Sequence, residues 1–276
     1  SPRFVYLFGR LRPSVHRVVA DMVRELSKSD FAPLDFELGL GNGGELPPVR
    51  LFDGKNELFI NGIADRVDGY MHDGKLYLRI IDYKTGKKSF SLSDIWYGMG
   101  MQMLLYLFAL EENGASRYGA EIVPAGVLYV PARDMIISSN GDLTDEELNK
   151  EKAKMRKRSG LILDDSNVIA AMENSESPEY IPVSFKKDGS LSSDSLADGE
   201  QFKALHKHVD GRLLELSANL SGGKIEASPY YRGEADNACL YCPYVSVCRF
   251  DEKRDTRRYL SKLKPSEFWQ RLEDKK

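Results

Sequence analysis

Apolar side chains recur at helical spacing near the beginning of the chain. Val15, Val18, Met22 and Leu26 follow one another at intervals of three and four residues. This period places them on one side of a helix, so the pattern predicts an amphipathic helix over residues 13–28. Further runs of helical character occur over residues 97–113, 144–158 and 201–220.

Between these helices the pattern changes to short runs rich in β-branched and aromatic residues. These runs predict strands over residues 35–40, 58–70 and 76–83, and an apolar run predicts a buried strand over residues 125–130. The order strand, strand, helix, strand over residues 58–130 predicts a mixed sheet covered by helices, which is an α/β fold.

The composition is that of an ordinary globular protein of 276 residues, with 42% hydrophobic and 29% charged residues. The formal net charge of −3 excludes a surface that is basic throughout, although it allows a local basic groove. The longest apolar stretch, residues 99–110, is too short to span a bilayer, which takes about 20 residues. The first residues lack the layout of a signal peptide, so we expect a cytoplasmic protein.

The segment most informative about chemistry is the pair of strands around Asp73 and Gly74. Asp-Gly between two β-rich runs is a strong signal for a two-residue hairpin turn. Counting outward from that turn places Asp65 opposite Asp82. Directly opposed residues have Cβ atoms about 4.5–5.5 Å apart, and like charges at that distance destabilise a sheet. Two carboxylates at this point of an apolar hairpin therefore call for a positive partner.

Lys84 shares a sheet face with Asp82, because side chains alternate along a strand. Two acids and a lysine on one face suit Mg²⁺ or Mn²⁺, for which carboxylate oxygens are preferred ligands. The backbone carbonyl of Tyr83 is a candidate for a further ligand. Such a centre lowers the pKa of a bound water and neutralises charge on a phosphate, so it predicts phosphodiester hydrolysis. Salt bridges at the surface are the alternative interpretation of the same side chains.

The sequence around these residues resembles a known nuclease family. Residues 62–68, Gly-Ile-Ala-Asp-Arg-Val-Asp, and residues 81–86, Ile-Asp-Tyr-Lys-Thr-Gly, resemble the motifs of the RecB-like PD-(D/E)xK nucleases. The resemblance implies a restriction-endonuclease-like α/β core, in which a mixed sheet is flanked by helices. It also implies that Asp65, Asp82 and Lys84 are catalytic and that the two aspartates bind the metal.

Two further features match the same family. Gln102 and Tyr106 form a Gln-x-x-x-Tyr motif, and at four residues apart they share one side of the predicted helix. The resemblance implies that this pair positions the DNA strand and supports the active site. Glu37 matches an upstream acid of the family, which implies a place near the metal; a glutamate at a strand edge is the alternative.

All three cysteines of the chain lie within ten residues, at Cys239, Cys242 and Cys248. Without a secretion signal, this clustering favours a metal or cluster site over disulfides. The spacing alone leaves iron–sulfur and zinc open, and His206 and His208 are candidates to complete a zinc site. The segment resembles the end of the nuclease-bearing B subunits of the AddAB family of bacterial helicase–nucleases. That resemblance implies a [4Fe–4S] cluster whose fourth cysteine lies far upstream.

The resemblance extends over nearly the whole chain and implies a single nuclease domain over residues 1–276. Its core is expected over about residues 30–185, and a helical arm with the cysteine segment over about residues 200–276. No fourth cysteine occurs among the 276 residues. We therefore expect a piece of a longer protein, with a cluster that is incomplete in this chain alone.

The implied function is that of a Mg²⁺- or Mn²⁺-dependent exonuclease that hydrolyses one DNA strand without sequence preference. The resemblance places this activity in a helicase–nuclease that processes double-strand breaks for recombinational repair. The expected partners are DNA and an AddA-like partner subunit.

Two alternatives remain: a nuclease fold that only binds DNA or a protein partner, and a stand-alone Cas4-like iron–sulfur nuclease. The intact set of Asp65, Asp82 and Lys84 argues against the first alternative. The missing fourth cysteine argues against the second.

Overall fold

A mixed sheet of six strands forms the centre of the protein, in a computed structural model that describes residues 1–86, 88–132, 141–185 and 191–275. The strands of the described residues are β1 (Ala32–Leu40), β2 (Val49–Phe52), β3 (Glu57–Ile60), β4 (Gly62–His72), β5 (Lys75–Lys84), β6 (Glu121–Pro131), β7 (Ser159–Leu163), β8 (Ser184–Phe185), β9 (Leu191–Ser192), β10 (Leu196–Ala197), β11 (Tyr230–Tyr231) and β12 (Arg258–Tyr259). The helices are α1 (Pro2–Leu26), α2 (Leu92–Trp96), α3 (Gln102–Asn113), α4 (Ala115–Tyr118), α5 (Asp145–Arg156), α6 (Ser166–Met172), α7 (Gly199–Ser221), α8 (Val245–Cys248) and α9 (Pro265–Glu273).

The central sheet has the strand order β1-β4-β5-β6-β7-β10. The pairs β1–β4, β4–β5 and β6–β7 are antiparallel, whereas β5–β6 and β7–β10 are parallel. A parallel pair needs a crossover connection, and α2, α3 and α4 supply it between β5 and β6. The predicted α/β architecture with a mixed sheet and flanking helices is therefore confirmed. The sheet also includes β10, which lies beyond the core boundary expected near residue 185.

The predicted elements differ from the observed ones mainly at their ends. The helix expected from residue 13 begins at Pro2 and continues through Pro13. The strand expected over residues 58–70 is divided into β3 and β4 at Asn61, whose side chain accepts a hydrogen bond from the backbone N–H of Asn42 at 3.3 Å. The helix expected from residue 97 begins at Gln102, because Gly98 and Gly100 have φ angles of 81° and 68°, which no α-helix contains.

The helix α3 supplies the apolar side chains that cover β5 and β6. Its residues Leu104, Leu107 and Leu110 are fully buried against the sheet. The helix α7 packs on α3 in turn, with the ring of His206 stacked on Phe108 at 4.2 Å between centroids. This packing holds the C-terminal half of α3 against α7.

One face of the sheet carries charged side chains that are buried. Arg66, Asp68 and Arg79 are fully buried, and Asp68 Oδ2 accepts from Arg66 Nη2 at 2.9 Å and from Arg79 Nε at 3.0 Å. Glu25 of α1 accepts from Arg158 Nη2 at 2.6 Å and lies 4.0 Å from Arg79 Nη2. We call these five residues the arginine cluster. It ties the C-terminal end of α1 to the sheet by charge rather than by apolar contact.

The rest of α1 is largely exposed. Its apolar residues Phe4, Phe8 and Leu11 each have more than half of their surface exposed, whereas its buried residues are Asp21 and Glu25. The apolar pattern of this helix therefore predicts the helix itself but not the side chains through which it contacts the sheet.

The residues that follow α7 return to the neighbourhood of α2. Arg232 Nη1 donates to Asp94 Oδ1 at 2.6 Å, and the backbone N–H of Leu263 donates to Ser93 Oγ at 3.0 Å. The helix α9 then packs against both α2 and α7, with Phe268 fully buried. Among the described residues, no helix combines the length and apolar character that crossing a membrane requires.

Removal of the charge on Glu25 should lower the free energy of unfolding by about 3 kcal/mol or more. Glu25→Gln leaves Arg158 without a counter-charge in a dry environment, which is the costly case for buried ion pairs. Glu146→Gln is the matched control, because it removes the partner of Lys150 at the exposed surface of α5 and should cost at most about 0.5 kcal/mol. Urea denaturation measures both, and equal effects would contradict a structural role for the arginine cluster.

Candidate active site

The hairpin of β4 and β5 brings the candidate residues together. Asp73 and Gly74 have φ angles of 48° and 75°, as a two-residue type I′ turn requires at both positions. The observed pairs run from His72↔Lys75 to Arg66↔Ile81. This is the register that the sequence predicts.

Beyond the pair Arg66↔Ile81, the Asp65 side chain, rather than a backbone carbonyl of β4, accepts the hydrogen bond from β5. Asp65 Oδ2 accepts from the backbone N–H of Tyr83 at 2.9 Å. The carboxyl group of Asp65 is close enough to that of Asp82 to help raise the pKa of Asp82. Asp65 thus binds the backbone of β5 and at the same time meets a second acid.

Lys84 and Tyr129 complete the surroundings of Asp82. The Nζ atom of Lys84 lies 2.5 Å from Asp82 Oδ2, and Tyr129 pairs with Asp82 on the parallel strand β6. The Nζ atoms of Lys84 and Lys88 each lie 5.6 Å from the centre of the Tyr129 ring. We call the side of the sheet that carries Asp65, Asp82 and Lys84 the carboxylate face.

The electrostatics of this face favour an additional positive charge. Burial raises the pKa of the Asp82 carboxyl, and the neighbouring Asp65 adds to the rise, whereas the Lys84 ammonium opposes it. Burial, together with the charge of Asp82, also raises the pKa of Tyr129 to about 12. One ammonium therefore does not fully offset two carboxylates in this partly buried position.

The donor set fits a hard divalent cation such as Mg²⁺. Asp65 and Asp82 offer carboxylate oxygens at one point, and the Tyr83 carbonyl belongs to the peptide beside them. Within the described ranges, no group of three His, Cys, Asp or Glu side chains is arranged to bind a metal ion. Two carboxylates suffice for Mg²⁺, which keeps several of its waters and rarely takes an all-protein shell.

Gln102 and Tyr106 lie together as the motif suggests. Gln102 Nε2 donates to the Tyr106 hydroxyl at 3.0 Å, and the Tyr106 side chain is buried. The ring lies so close to Gly62 that a Cβ atom there would come within 2.5 Å of it. Position 62 therefore requires glycine, because the Tyr106 ring occupies the space of a Cβ atom. Through this contact α3 touches β4 three residues before Asp65.

Glu37 lies beside the site in the sheet, although its side chain is exposed. The flanking pairs Phe36↔Arg66 and Leu38↔Ala64 place Glu37 across from Asp65 in the β1–β4 ladder. Its φ angle of 52° interrupts the regular strand, and its carboxylate makes no hydrogen bond or ion pair with the described residues. A supporting role for Glu37 stays a prediction.

The three cysteines lie near one another in the chain, but among the described residues they do not form a metal-binding group. The backbone N–H of Cys242 donates to the Cys239 carbonyl at 3.3 Å, and Cys248 ends the short helix α8. His206 contacts acids of α3 and α7, and His208 Nε2 lies 3.3 Å from the Ile95 carbonyl oxygen. Neither histidine is directed at the cysteines by these contacts.

Sequence reasoning missed the residues that support the site from the other strands and the other face. Tyr129 lies in an apolar run that predicts only a buried strand. Arg66 and Asp68 alternate with apolar residues in β4, a pattern that could have signalled a second, charged face of the hairpin. Glu25 gave no signal, because its burial depends on where α1 lies.

Comparison with known proteins decides the family. A family profile described as the PD-(D/E)XK nuclease superfamily matches residues 3–249. The chain belongs to the PD-(D/E)XK nuclease superfamily. The fold of that superfamily is the one expected from the resemblance and observed in the sheet and its flanking helices.

Similar proteins come from several bacteria. The chain is 39% identical to the B subunit of the ATP-dependent helicase/deoxyribonuclease of Clostridium acetobutylicum over 99% of its length, and 37% identical to the protein of that name from Acetivibrio thermocellus over 98%. The identically named protein of a Thermoanaerobacter species is 36% identical over 99% of the chain. In each case the chain spans only 24% of the relative's length.

Binding of Mn²⁺ at the carboxylate face should depend on pH through Asp82. A raised pKa keeps the proton on Asp82 to a higher pH than usual, and the proton competes with the cation for the same oxygens. The contribution of Asp82 to metal-free stability is full at low pH and is lost as the pH rises through the raised pKa. The metal-induced stabilisation, about 2.7 kcal/mol at 100 times Kd, should therefore grow with pH.

Thermal unfolding with and without Mn²⁺ across the acidic-to-neutral range measures this effect. Asp82→Asn should remove both the metal-induced increase in Tm and its pH dependence. An increase in Tm of equal size at every pH would contradict Asp82 as the titrating metal ligand.

Proposed function

We propose that this chain is a metal-dependent deoxyribonuclease that hydrolyses phosphodiester bonds at Asp65, Asp82 and Lys84. The observation that carries the proposal is the contact of two carboxylates and an ammonium at one end of the β4–β5 hairpin. Such a set costs stability, since like charges are brought together in a partly buried place. A divalent cation held by Asp65 and Asp82 would offset that cost.

Asp65 and Asp82 would hold Mg²⁺ or Mn²⁺, with the Tyr83 carbonyl as a third ligand. When bound, the cation lowers the pKa of a coordinated water and neutralises charge on the phosphate. Lys84, whose ammonium lies beside Asp82, would stabilise the additional negative charge that develops as the water oxygen bonds to phosphorus and the P–O bond to the leaving sugar breaks. The attacking water gives up one proton to solvent, and the leaving oxygen takes up one proton from solvent.

Gln102, Tyr106 and Glu37 are the residues we assign to support and to positioning of the DNA strand. The hydrogen bond between Gln102 and Tyr106 and the packing of Tyr106 on Gly62 support this role, because they link α3 to the beginning of β4. The Gln102 side chain is exposed, so a substrate can reach it. Lys84 and Lys88 add positive charge for phosphate contacts, which give affinity without sequence information.

We further propose that the activity is exonucleolytic on a single strand, within a helicase–nuclease that processes double-strand breaks. The name of the relatives, which describes an ATP-dependent helicase/deoxyribonuclease, supports this context. The expected partner is an AddA-like protein. Because the chain spans 24% of the relatives, the ATP-dependent steps would belong to parts of a longer protein.

Cys239, Cys242 and Cys248 are proposed as ligands of a [4Fe–4S] cluster. Their spacing of two and five intervening residues supports this assignment, as does the state of the three thiols, none of which takes part in a disulfide. The segment that carries them leads to α9, which packs on α2 and α7, so a cluster here would stiffen a connection to the core.

Asp82→Asn should lower the rate of Mg²⁺-dependent digestion of linear single-stranded DNA by about 100-fold or more, because it removes a metal ligand. Asp73→Asn is the matched control, since it removes a carboxylate at the other end of the same hairpin and Asn-Gly suits the type I′ turn. Release of acid-soluble nucleotides is the measurement. Undiminished digestion by Asp82→Asn would exclude the catalytic assignment, whereas a wild-type protein that binds the DNA without digesting it would favour a fold that only binds DNA.

The longer protein that supplies the fourth cysteine, purified without oxygen, should contain iron and sulfide in nearly equal amounts if the cysteines bind a cluster. Cys242→Ser should lower both contents, whereas it should leave the metal dependence of Tm at the carboxylate face unchanged. Elemental analysis and acid-labile sulfide assays measure the two contents. Stoichiometric zinc with no iron would favour a zinc site instead.

A further inference from the structure

The hydroxyl of Tyr83 contacts the arginine cluster on the face of the sheet opposite the carboxylate face. Arg66 Nη1 donates to this hydroxyl at 2.6 Å, and the guanidinium carbon lies 5.7 Å from the centre of the Tyr83 ring. Since side chains alternate along β5, Tyr83 lies on the other side of the sheet from Asp82 and Lys84. Tyr83 therefore links the arginine cluster, through its side chain, to the carboxylate face, through its backbone.

The backbone of Tyr83 is fixed at the same time from three directions. Its N–H donates to Asp65 Oδ2 at 2.9 Å, and on the other side it pairs with Val130 in the β5–β6 ladder. The hydroxyl contact with Arg66 is the third restraint. The peptides restrained in this way connect Asp82 to Lys84, and they include the carbonyl that the proposed metal site uses.

Arg66 is itself held by Asp68 and is buried. Its Nη2 donates to Asp68 Oδ2 at 2.9 Å, and its Nε lies 2.8 Å from Asp68 Oδ1, so the guanidinium makes one hydrogen bond and a second ionic contact with the same carboxylate. Arg79 binds the same carboxylate from β5 at 3.0 Å. The Arg66 side chain is 1% exposed, so no water competes for the nitrogen that reaches Tyr83.

We propose that Arg66 and Tyr83 are positioning residues of the metal centre. Arg66, fixed on Asp68, holds the Tyr83 hydroxyl and thereby sets the backbone between Asp82 and Lys84. Groups that orient metal ligands from outside the coordination shell affect metal affinity or activity by about 10- to 100-fold. The inference rests on the proposed metal-dependent function, which it deepens by naming what holds the ligands in place.

Tyr83→Phe is the test variant, because it removes only the hydroxyl and keeps the ring. Tyr77→Phe is the matched control: Tyr77 lies on the same face of the same strand, and its ring contacts Tyr70 and His72 outside the arginine cluster. Calorimetric titration with Mn²⁺ gives the metal Kd, and steady-state digestion of single-stranded DNA gives kcat and KM. Binding of single-stranded DNA in the presence of a chelator shows whether the DNA-binding surface stays folded without metal.

Tyr83→Phe should weaken Mn²⁺ binding about tenfold and lower kcat about tenfold, with KM and metal-free DNA binding unchanged. Tyr77→Phe should match the wild type in all four quantities. If the hydroxyl had only a structural role, Tyr83→Phe would lower stability, and it would weaken Mn²⁺ binding and metal-free DNA binding together. Wild-type Mn²⁺ affinity in Tyr83→Phe would overturn the proposal.

A double variant tests whether the two residues act as one unit. Arg66→Lys keeps a positive charge near Asp68 but lacks the fork that reaches both Asp68 and Tyr83. In Tyr83→Phe combined with Arg66→Lys, the loss of Mn²⁺ affinity should not exceed that of Arg66→Lys alone, whereas additive losses would overturn the coupling. If Arg66→Lys does not fold, the comparison of Tyr83→Phe with Tyr77→Phe decides.

Failure of the proposed function has a different signature from failure of this inference. A wild-type protein that neither binds Mn²⁺ nor cleaves DNA would overturn the metal centre and this inference with it. A wild-type protein that does both, beside an unaltered Tyr83→Phe variant, would overturn the inference alone.

Discussion

The positive φ angles at Asp73 and Gly74 are the constraint on which the rest of the site depends. They fix a two-residue turn, and the turn fixes which residues of β4 and β5 oppose each other. A slip of one residue would exchange the two faces of the strand. It would move Asp65 into the arginine cluster and bring Arg66 to the carboxylate face. One turn therefore sorts the charges of the hairpin into two sets.

The two sets differ in their balance of charge. In the arginine cluster, three guanidinium groups surround the carboxylates of Glu25 and Asp68, and the group supports the fold. On the carboxylate face, Asp65 and Asp82 share one ammonium, and the pKa of Asp82 is raised as a result of burial and of its acidic neighbour. A deficit of positive charge in an otherwise well-paired sheet is the electrostatic condition under which a divalent cation binds.

The site also depends on contacts that no local pattern contains. Gly62 is needed because the ring of Tyr106, more than forty residues later in the chain, occupies the space of its missing Cβ. Tyr129 approaches Asp82 because β6 pairs in parallel with β5, after a crossover through α3. The short strand β10 joins the sheet although it has only two residues and lies beyond the core boundary expected near residue 185. Each of these contacts requires the assembled sheet.

The sequence by itself determined the hairpin register, the α/β class and the set of Asp65, Asp82 and Lys84, because a turn and a strand period are local properties. It also contained the resemblance to the PD-(D/E)xK nucleases, which the superfamily match confirms. Only the tertiary structure decided that α1 buries Glu25 rather than its apolar side chains, and that Arg66 reaches Tyr83. The physical reason is that burying a charge is favourable only where partners from distant segments meet it, and those partners are placed by packing.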